Sequence, residues 1–299
     1  MLRLYLCEWI IINFVMTEWK NRIYFADNLE ILRQTSDESV DLIYIDPPFN
    51  TGRVQSRTQI KIRPDEDGDR TGFQGRRYAT IKIGSKAYAD IFEDYLGFLE
   101  PRLTEAWRVL SPHGTLYFHI DYREVHYCKI LLDEIFGRDC FLNEIIWAYD
   151  YGARTQRKWP PKHDNILVYV KDSQGYYFDT KEVERIPYMA PGLVGPQKAA
   201  RGKLPTDTWW HTIVPTNGRE RTGYPTQKPM GVLKRILSAS SRPGDLVMDF
   251  FAGSGTTGAA ALAMGRRFIL VDDNPAALAV MAERFRDLSQ VEFVGYESK

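Results

Sequence analysis

The segment VDLIYID, residues 40–46, is a nearly continuous apolar run that ends in a carboxylate. Runs of this kind, rich in isoleucine and valine, are typical of strands buried on both faces of a parallel sheet. LVMDFF at residues 246–251 and RRFILVDD at residues 266–273 have the same character, and segments with helical spacing lie along the chain between such runs. Because strands alternate with helices, the sequence predicts an α/β fold with a doubly wound, mostly parallel sheet.

The alternation is interrupted from about Tyr151 to Pro215, where periodicity fades and proline, glycine and tryptophan accumulate. Such a stretch indicates a small inserted region. We therefore predict a main domain at residues 16–150 and 214–299 with an insert at residues 151–213. EIIWAYD and NILVYVKD are interpreted as a strand pair that closes one edge of the sheet, and residues 87–110 have helical spacing.

The N-terminal residues are apolar, but the run is interrupted by Glu8 and ends near Val15. It is too short to span a bilayer and has no small-residue cleavage site, so we expect no membrane association. Met16 stands directly before a sequence that resembles a natural start. Residues 1–15 are therefore expected to be an extension outside the core fold.

Three widely spaced cysteines, Cys7, Cys128 and Cys140, form no CxxC pair and no metal-like pairing with histidine. An odd, scattered set of this kind indicates a reducing compartment. We expect neither a structural disulfide nor a metal site.

Charge is balanced over the whole chain, with 39 basic and 39 acidic residues, but it is unevenly distributed. The segment from Arg53 to Lys86 has nine basic and four acidic residues, and a second segment from Gly152 to Lys203 has ten and five. Phosphate contacts of a nucleic acid and ordinary solvated loops both fit this composition. Candidate nucleic-acid contacts are Arg53, Arg76, Arg77, Arg154, Lys158, Lys162 and His163.

The clearest ligand signal is DFFAGSGTTG, residues 249–258, in which a strand leads through a glycine turn into a helix. Gly253 and Gly255 permit close backbone approach, and free N–H groups at a helix start favour an anionic or polar ligand. Asp272 ends the next strand, where a carboxylate can hold two ribose hydroxyls. A nucleoside ligand follows, and since Gly258 completes G-x-G-x-x-G, a nicotinamide or flavin cofactor competes with other nucleosides.

The apolar run that opened this section continues as DPPF, from Asp46 to Phe49. Two prolines would end a sheet ladder in any turn, but Asp46 ends its strand at the sheet edge where open α/β folds bind ligands. A carboxylate, a proline carbonyl and an aromatic face together match a planar base with an exocyclic amine. The candidate catalytic residues are therefore Asp46, Pro47, Pro48 and Phe49.

These motifs resemble those of DNA amino-methyltransferases that use S-adenosyl-L-methionine, with DPPF as the catalytic tetrapeptide and FAGSG as the cofactor loop. DPPF precedes FAGSG, an order similar to the β group of these enzymes, and the insert then occupies the place of the target-recognition region. YPTQKP at residues 224–229 and ADN at residues 26–28 resemble two further family elements. The resemblance covers about Trp19 to Leu288 and implies the seven-stranded methyltransferase sheet. The family's usual tyrosine is replaced by Phe49.

The resemblance also implies roles for cofactor-binding residues. Asp27 would hold the cofactor's adenine amine, Asp272 its ribose, and Lys228 its carboxylate. The full set of candidates is Asp27, Thr226, Lys228, Asp249, Phe251, Ala252, Gly253, Ser254, Gly255, Thr256 and Asp272. Local structural roles compete with several of these, such as a helix N-cap for Asp27.

The implied reaction is methyl transfer to a base flipped out of duplex DNA, with no covalent enzyme intermediate. Aspartate at the first position of the tetrapeptide resembles the adenine-N6 enzymes, and the N4 amine of cytosine is the alternative. Carbon-5 methylation of cytosine would need a cysteine nucleophile, and none of the three cysteines is next to a proline or in the crevice where DPPF opens. The expected partners are double-stranded DNA, a second copy of the chain and a cognate restriction endonuclease, in the cytoplasm of a prokaryote; action without a nuclease is equally compatible.

Overall fold

The computed structural model describes residues 19–50, 53–64, 67, 70–71, 77–90, 92–150, 155–215 and 217–296. The predicted N-terminal extension at residues 1–15 lies outside this range. The strands are β1 (Asn21–Phe25), β2 (Val40–Ile45), β3 (Arg53–Pro64), β4 (Arg70–Thr71), β5 (Arg77–Asp90), β6 (Leu110–Ile120), β7 (Phe141–Ala148), β8 (His163–Val170), β9 (Thr208–Trp210), β10 (Leu246–Asp249), β11 (Arg267–Asp272) and β12 (Val291–Val294). The helices are α1 (Asn28–Gln34), α2 (Tyr95–Val109), α3 (Val125–Phe136), α4 (Pro196–Arg201), α5 (Met230–Ser240), α6 (Thr256–Ala263) and α7 (Pro275–Phe285). None of these helices is both long and apolar enough to cross a membrane.

The central sheet has the strand order β12-β1-β11-β10-β2-β6-β8-β7-β9. The first six strands are parallel, β8 runs antiparallel to both of its neighbours, and β9 is parallel to β7. The doubly wound, mostly parallel α/β fold is therefore confirmed. The sheet has nine strands instead of seven, because the short strands β12 and β9 each pair with an outer strand of the seven that the sequence predicts.

The boundary of the insert also differs from the prediction. β8 falls within residues 151–213, yet it lies inside the main sheet between β6 and β7. Its side chains from Asp164 to Val170 are all buried, as expected for an apolar run with sheet neighbours on both sides. The pair β7 and β8 does not form the sheet edge, because β9 continues the sheet beyond β7.

A second sheet follows the DPPF segment. Strands β3, β5 and β4 form a three-stranded antiparallel sheet in which Arg53 pairs with Asp90 and Pro64 with Tyr78. The helix expected from Ala87 therefore begins later, at Tyr95. The Asp94 side chain caps this helix by accepting from the Gly97 N–H at 2.8 Å.

Two hydrophobic layers cover the faces of the central sheet. Strand β2 supplies both layers: Ile43 and Ile45 face α1, α2 and α3, whereas Leu42 and Tyr44 face α5, α6 and α7. Helices on both faces leave the carboxyl ends of the parallel strands free to form a site along one edge.

Buried Asn21 links the three strands at one end of the sheet. Its Oδ1 accepts from the Phe268 N–H of β11 at 2.7 Å, and its Nδ2 donates to the Gln290 carbonyl, just before β12, at 3.5 Å. An apolar residue at this position would leave the buried Phe268 N–H without its acceptor.

We expect Asn21→Ala to lower the free energy of unfolding by about 1–3 kcal/mol, the usual cost of an unsatisfied buried donor. Urea unfolding followed by circular dichroism measures the change. Asn143→Ala, at an exposed position of β7, is the matched control. Equal stability of the two variants would contradict a structural role for the Asn21 amide.

Candidate active site

Four neighbouring strands end in an aspartate at the same edge of the sheet. Asp27 follows β1, Asp272 ends β11, Asp249 ends β10, and Asp46 follows β2. All four line one cavity of about 1370 Å³. The structure therefore brings together the glycine turn and the DPPF segment, as predicted from their positions at strand ends.

The glycine turn between β10 and α6 needs glycine for two reasons. Gly253 and Gly255 have φ values of +51° and +69°, in the left-handed region that favours glycine. A Cβ on Gly253 would lie 3.1 Å from the Tyr224 ring, and one on Gly255 would lie 2.8 Å from Met281 Cγ. Gly253 lines the cavity, whereas Gly255 permits close packing of α7 against the turn.

Asp249 is buried and holds the glycine turn. Its Oδ2 accepts from the Thr257 hydroxyl at 2.6 Å, and its Oδ1 accepts from the Phe251 N–H at 3.0 Å. Burial raises the pKa of Asp249 to about 7 despite these two donors, with smaller contributions from the nearby Asp46 and Asp272. Its contacts fix the turn instead of presenting a free carboxylate to a ligand.

Asp272 also holds the turn but remains partly accessible. Its Oδ2 accepts from the Gly253 N–H at 2.7 Å, and its Oδ1 accepts from the Asn274 N–H at 2.9 Å. Burial raises its pKa to about 6. Each carboxylate oxygen has a second lone pair, so Asp272 can still accept from two hydroxyls of a ribose.

The remaining cofactor candidates lie around these two carboxylates. Phe251 packs against Phe98 with ring centroids 6.1 Å apart, and Ser254 donates to or accepts from Thr256 at 2.9 Å. All of the predicted set except Gly255 line the cavity: Asp27, Thr226, Lys228, Asp249, Phe251, Ala252, Gly253, Ser254, Thr256 and Asp272.

Asp27 is the N-cap of α1, the structural role that competed with cofactor binding in the sequence. Its Oδ1 accepts from the Leu29 and Glu30 N–H groups at 2.8 and 3.3 Å, and its Oδ2 accepts from Arg102 at 2.9 Å. Neighbouring Asn28 donates to the Phe250 carbonyl at 2.7 Å and accepts from Arg102 Nε at 2.6 Å. This cluster ties the ADN segment to the strand that carries the glycine turn.

The DPPF segment is held by α2 and α3. The Pro48 carbonyl accepts from the Tyr95 hydroxyl at 2.6 Å. Asn50, at φ +51°, donates to Glu124 at 3.0 Å and accepts from the Phe92 N–H at 3.2 Å. The backbone is therefore fixed on both sides of Phe49, whose ring lines the cavity.

Lys228 contacts a residue with which the sequence did not pair it. Its ammonium donates to Asp46 Oδ2 and lies 5.2 Å from the centre of the Phe49 ring. The predicted carboxylate partner for Lys228 belonged to the cofactor. In the structure that partner is the aspartate of the DPPF segment itself.

A buried polar network lies behind Asp46, and the sequence did not reveal it. His119 is fully buried; its Nδ1 lies 2.8 Å from the Tyr44 hydroxyl and its Nε2 lies 3.2 Å from Asp164 Oδ2. Asp46 Oδ1 is buried 3.9 Å from His119 Nδ1 and has no hydrogen-bond partner. Tyr149 donates to Asp164 Oδ1 at 3.0 Å and completes the network.

The network alters the titration of its members. Burial alone would raise the pKa of Asp164, but the hydrogen bond from His119 and the charge of Lys228 outweigh it, so the pKa is lowered. Burial, followed by the charge of Asp46, raises the pKa of Tyr44 well above its ordinary value. His119 lies near the end of the TLYFHI strand, and Asp164 follows His163, which was a candidate DNA contact. Position near a strand end is the one sequence feature that could have indicated these two residues.

Among the candidate nucleic-acid contacts, the described side chains of Arg77, Lys158, Lys162 and His163 do not line this cavity. Arg53 is in β3, Arg77 is exposed at the start of β5, and Lys158 is exposed. Lys162 and His163 are half-buried at the start of β8. Arg76 and Arg154 lie outside the described residues.

A comparison with known protein families identifies the chain. Residues 40–283 match the model of the N6/N4 DNA methylase family. The chain belongs to this family. It is a DNA methyltransferase of the group that modifies exocyclic amines and uses S-adenosyl-L-methionine, so the predicted family, enzyme class and cofactor are confirmed.

Curated relatives give the same result. The DNA adenine methyltransferase YhdJ of Escherichia coli K12 is 32% identical over 260 residues, which is 84% of this chain and 78% of YhdJ. The type II methyltransferase M.HpaI of Haemophilus parainfluenzae is 28% identical over 277 residues, covering 93% of this chain and 76% of M.HpaI.

Solved structures confirm the methyltransferase fold. The cytosine-N4-specific PvuII DNA methyltransferase aligns with a TM-score of 0.61 at 18% identity, covering 91% of this chain and 89% of that chain. The M1.HpyAVI complex with S-adenosylmethionine aligns with a TM-score of 0.57 at 21% identity, covering 88% and 98%.

The raised pKa of Asp249 predicts a pH-dependent stability. The unfolded state loses this proton near pH 4 and the folded state near pH 7, so the native protein loses stability as the pH rises through this interval. Asp249→Asn removes this titrating group. The free energy of unfolding of the variant, relative to that of the native protein, should therefore increase by up to about 4 kcal/mol from pH 4 to pH 7.

Urea unfolding at a series of pH values measures this difference. Asp139→Asn removes a carboxylate from an exposed position and serves as the control. Parallel stability profiles of Asp249→Asn and the native protein would contradict the raised pKa.

Proposed function

We propose that this DNA methyltransferase transfers a methyl group to the N6 amine of adenine in duplex DNA. The supporting observation is that the DPPF segment and the glycine turn open into one cavity from paired neighbouring strands, with Leu42 opposite Val247 and Ile43 opposite Met248. Base and cofactor would therefore meet across a single strand spacing, about 5 Å.

The residues of the cavity fit S-adenosylmethionine. Asp272 accepts two ribose hydroxyls, Gly253 allows close approach of the chain, and the rings of Phe98 and Phe251 supply apolar surface. Asp27 can accept from the adenine amine through the second lone pairs of its oxygens, although it already has three donors. Bound there, the cofactor supplies an electrophilic methyl group on a sulfonium sulfur.

The DPPF segment then acts as the acceptor of the target amine. Asp46 and the Pro47 carbonyl accept the two N–H bonds, which draws the nitrogen lone pair out of conjugation and makes it nucleophilic. The Pro48 carbonyl already accepts from the Tyr95 hydroxyl, and we assign the Pro47 carbonyl as the second acceptor. The new N–C bond forms as the methyl–sulfur bond breaks, sulfur keeps the electron pair, and Asp46 receives the displaced amine proton.

The base has to leave the duplex before it reaches Asp46. Unstacking and unpairing cost on the order of a few kcal/mol. Stacking on Phe49 returns about 1–3 kcal/mol, so the hydrogen bonds at Asp46 decide whether the flipped base stays. We propose the sheet of β3, β4 and β5, together with the target-recognition region at residues 151–213 outside β8, as the surfaces that hold the duplex.

Adenine is favoured over cytosine because the first residue of the tetrapeptide is an aspartate and because YhdJ, at 32% identity, is named as an adenine methyltransferase. PvuII methyltransferase, named as cytosine-N4-specific, has the same fold and keeps the N4 amine of cytosine as the alternative. Relatives named as type II methyltransferases favour a role beside a restriction endonuclease. A homodimer is proposed from the family resemblance alone.

Asp46→Asn tests the catalytic role because it retains the shape of the side chain and removes its charge. We expect transfer of labelled methyl groups to DNA to fall by about 10²–10³-fold or more, with cofactor affinity retained. Methyl transfer and calorimetric binding of S-adenosylmethionine are measured on the same preparation, with Asp139→Asn as control. Near-normal turnover of Asp46→Asn would contradict the proposed function.

Phe49 tests the stacking role. Phe49→Ala should raise the KM for DNA by about tenfold, because the flipped base loses its stacking surface, whereas Phe49→Tyr should remain close to the native protein. Steady-state kinetics on DNA that contains the recognition site provides both values. Equal effects of the two substitutions would show that the ring face is not what binds the base.

Single-base methylation mapping of a host that carries the gene identifies the base and the recognition sequence together. We expect N6-methyladenine within one short motif. N4-methylcytosine in its place would establish the alternative.

A further inference from the structure

The ammonium of Lys228 occupies the place that the target amine needs. It donates to Asp46 Oδ2 and lies over the Phe49 ring at 5.2 Å. These are the same two groups that the proposed function assigns to the exocyclic amine and the face of the base. A protein amine and a substrate amine would therefore compete for one subsite.

The competition is direct because the other oxygen of Asp46 is not accessible. Asp46 Oδ1 is buried near His119, so the oxygen that remains to face the cavity is Oδ2. The pair is itself well enclosed, with side-chain exposures of 11% for Lys228 and 15% for Asp46. A target base can reach Oδ2 in full only after the ammonium has moved.

The backbone that carries Lys228 is fixed, so the movement is confined to the side chain. The Gln227 amide accepts from the Thr222 N–H and hydroxyl at 2.8 and 2.9 Å and donates to the Glu220 carbonyl at 2.6 Å. The Glu220 carboxylate accepts from the Met230 N–H at 3.0 Å, at the start of α5. Lys228 is thus a flexible four-carbon stem on a rigid base.

A second anion is needed to receive the ammonium. Several of the described carboxylates that line the cavity already have donors: Asp27 has Arg102, Asp249 has Thr257, and Asp272 has two backbone N–H groups. Asp150 and Asp273 also line the cavity, but they lie at exposed positions where water solvates them. Asp164 is held by His119 and Tyr149. The α-carboxylate of S-adenosylmethionine is the anion that binding would add to this cavity.

We propose that Lys228 is a gate that couples cofactor binding to base entry. Its ammonium exchanges Asp46 for the cofactor's carboxylate, and this exchange exposes Oδ2 to the target amine. The inference rests on the proposed function, because it takes Asp46 as the amine acceptor. Its consequence is an order of events in which the cofactor binds before the base is held.

The test measures base flipping without any methyl transfer. A duplex with 2-aminopurine at the mapped target position becomes fluorescent when that base leaves the stack. With native protein, we expect low fluorescence for protein and DNA alone and an increase of about tenfold on addition of S-adenosylhomocysteine, which has the carboxylate and no transferable methyl group. Methylthioadenosine, which has the nucleoside but no carboxylate, should produce no increase.

Lys228→Met keeps most of the apolar stem and removes the ammonium. This variant should flip the base without S-adenosylhomocysteine to about the level that the native protein reaches with it, and its affinity for S-adenosylhomocysteine should fall. Lys228→Gln, which can still donate to Asp46 but carries no charge, should be intermediate. Lys234→Met removes a lysine from an exposed position of α5 and should behave as the native protein.

Two results would overturn the gate. Lys228→Met and Lys228→Gln could both show reduced flipping under all conditions, as expected if Lys228 only orients Asp46. Methylthioadenosine could increase flipping in the native protein as much as S-adenosylhomocysteine, which would exclude exchange with the carboxylate. Asp46→Asn is assayed in parallel for methyl transfer: if it is active the proposed function fails, and if it is inactive while either result above is seen, only the gate is wrong.

Discussion

Four carboxylates lie along one sheet edge, and each would oppose folding if it were buried there without a donor. The structure solves this by giving each aspartate a partner from the loop or helix that follows a strand. Asp249 and Asp272 draw in backbone N–H groups of the glycine turn and of the segment before α7. The hydrogen bonds that compensate these charges therefore also fix the conformation of the loops, and the loops determine the shape of the cavity.

The residues that compensate these charges are far apart in the sequence. Lys228 contacts Asp46 across 182 positions, and Asn28 contacts the Phe250 carbonyl across 222. Because parallel strands present their carboxyl ends at one edge, contacts of this length require no special path of the chain. The contact of Asn28 requires only that β1 and β10 lie near each other in the sheet, and the contact of Lys228 requires that the segment before α5 reaches the carboxyl end of β2.

The seven principal strands could be predicted because buried parallel strands have a distinctive apolar run, and their order along the chain placed DPPF and the glycine turn at one edge. The short strands β9 and β12 could not, since three or four half-exposed residues have no such pattern. Residues 87–90 have alternation that is compatible with a strand, and only pairing with β3 decides between strand and helix. The predicted insert likewise included β8, because irregular sequence on both sides of this strand left no boundary that would assign it to the main domain.

The motifs of the candidate site could be predicted from the sequence, but the contacts between residues on different strands and helices could not. DPPF, the glycines and Asp272 are visible because their chemistry is local to a turn. His119, Asp164 and Arg102 acquire their roles from partners on other strands and helices, which no local pattern encodes. The same is true of Lys228, whose partner is decided by which anion lies within reach of its side chain.

The position of β1 in the sheet has a consequence for how the enzyme is made. β1 is the first described strand to leave the ribosome, yet its two neighbours, β11 and β12, are among the last. Until they emerge, β1 and the ADN segment after it have no sheet to join, and Asn28 has no Phe250 carbonyl to hold. The ADN segment therefore reaches its place in the cofactor pocket only after β10 and β11 have left the ribosome, although it is synthesised long before them.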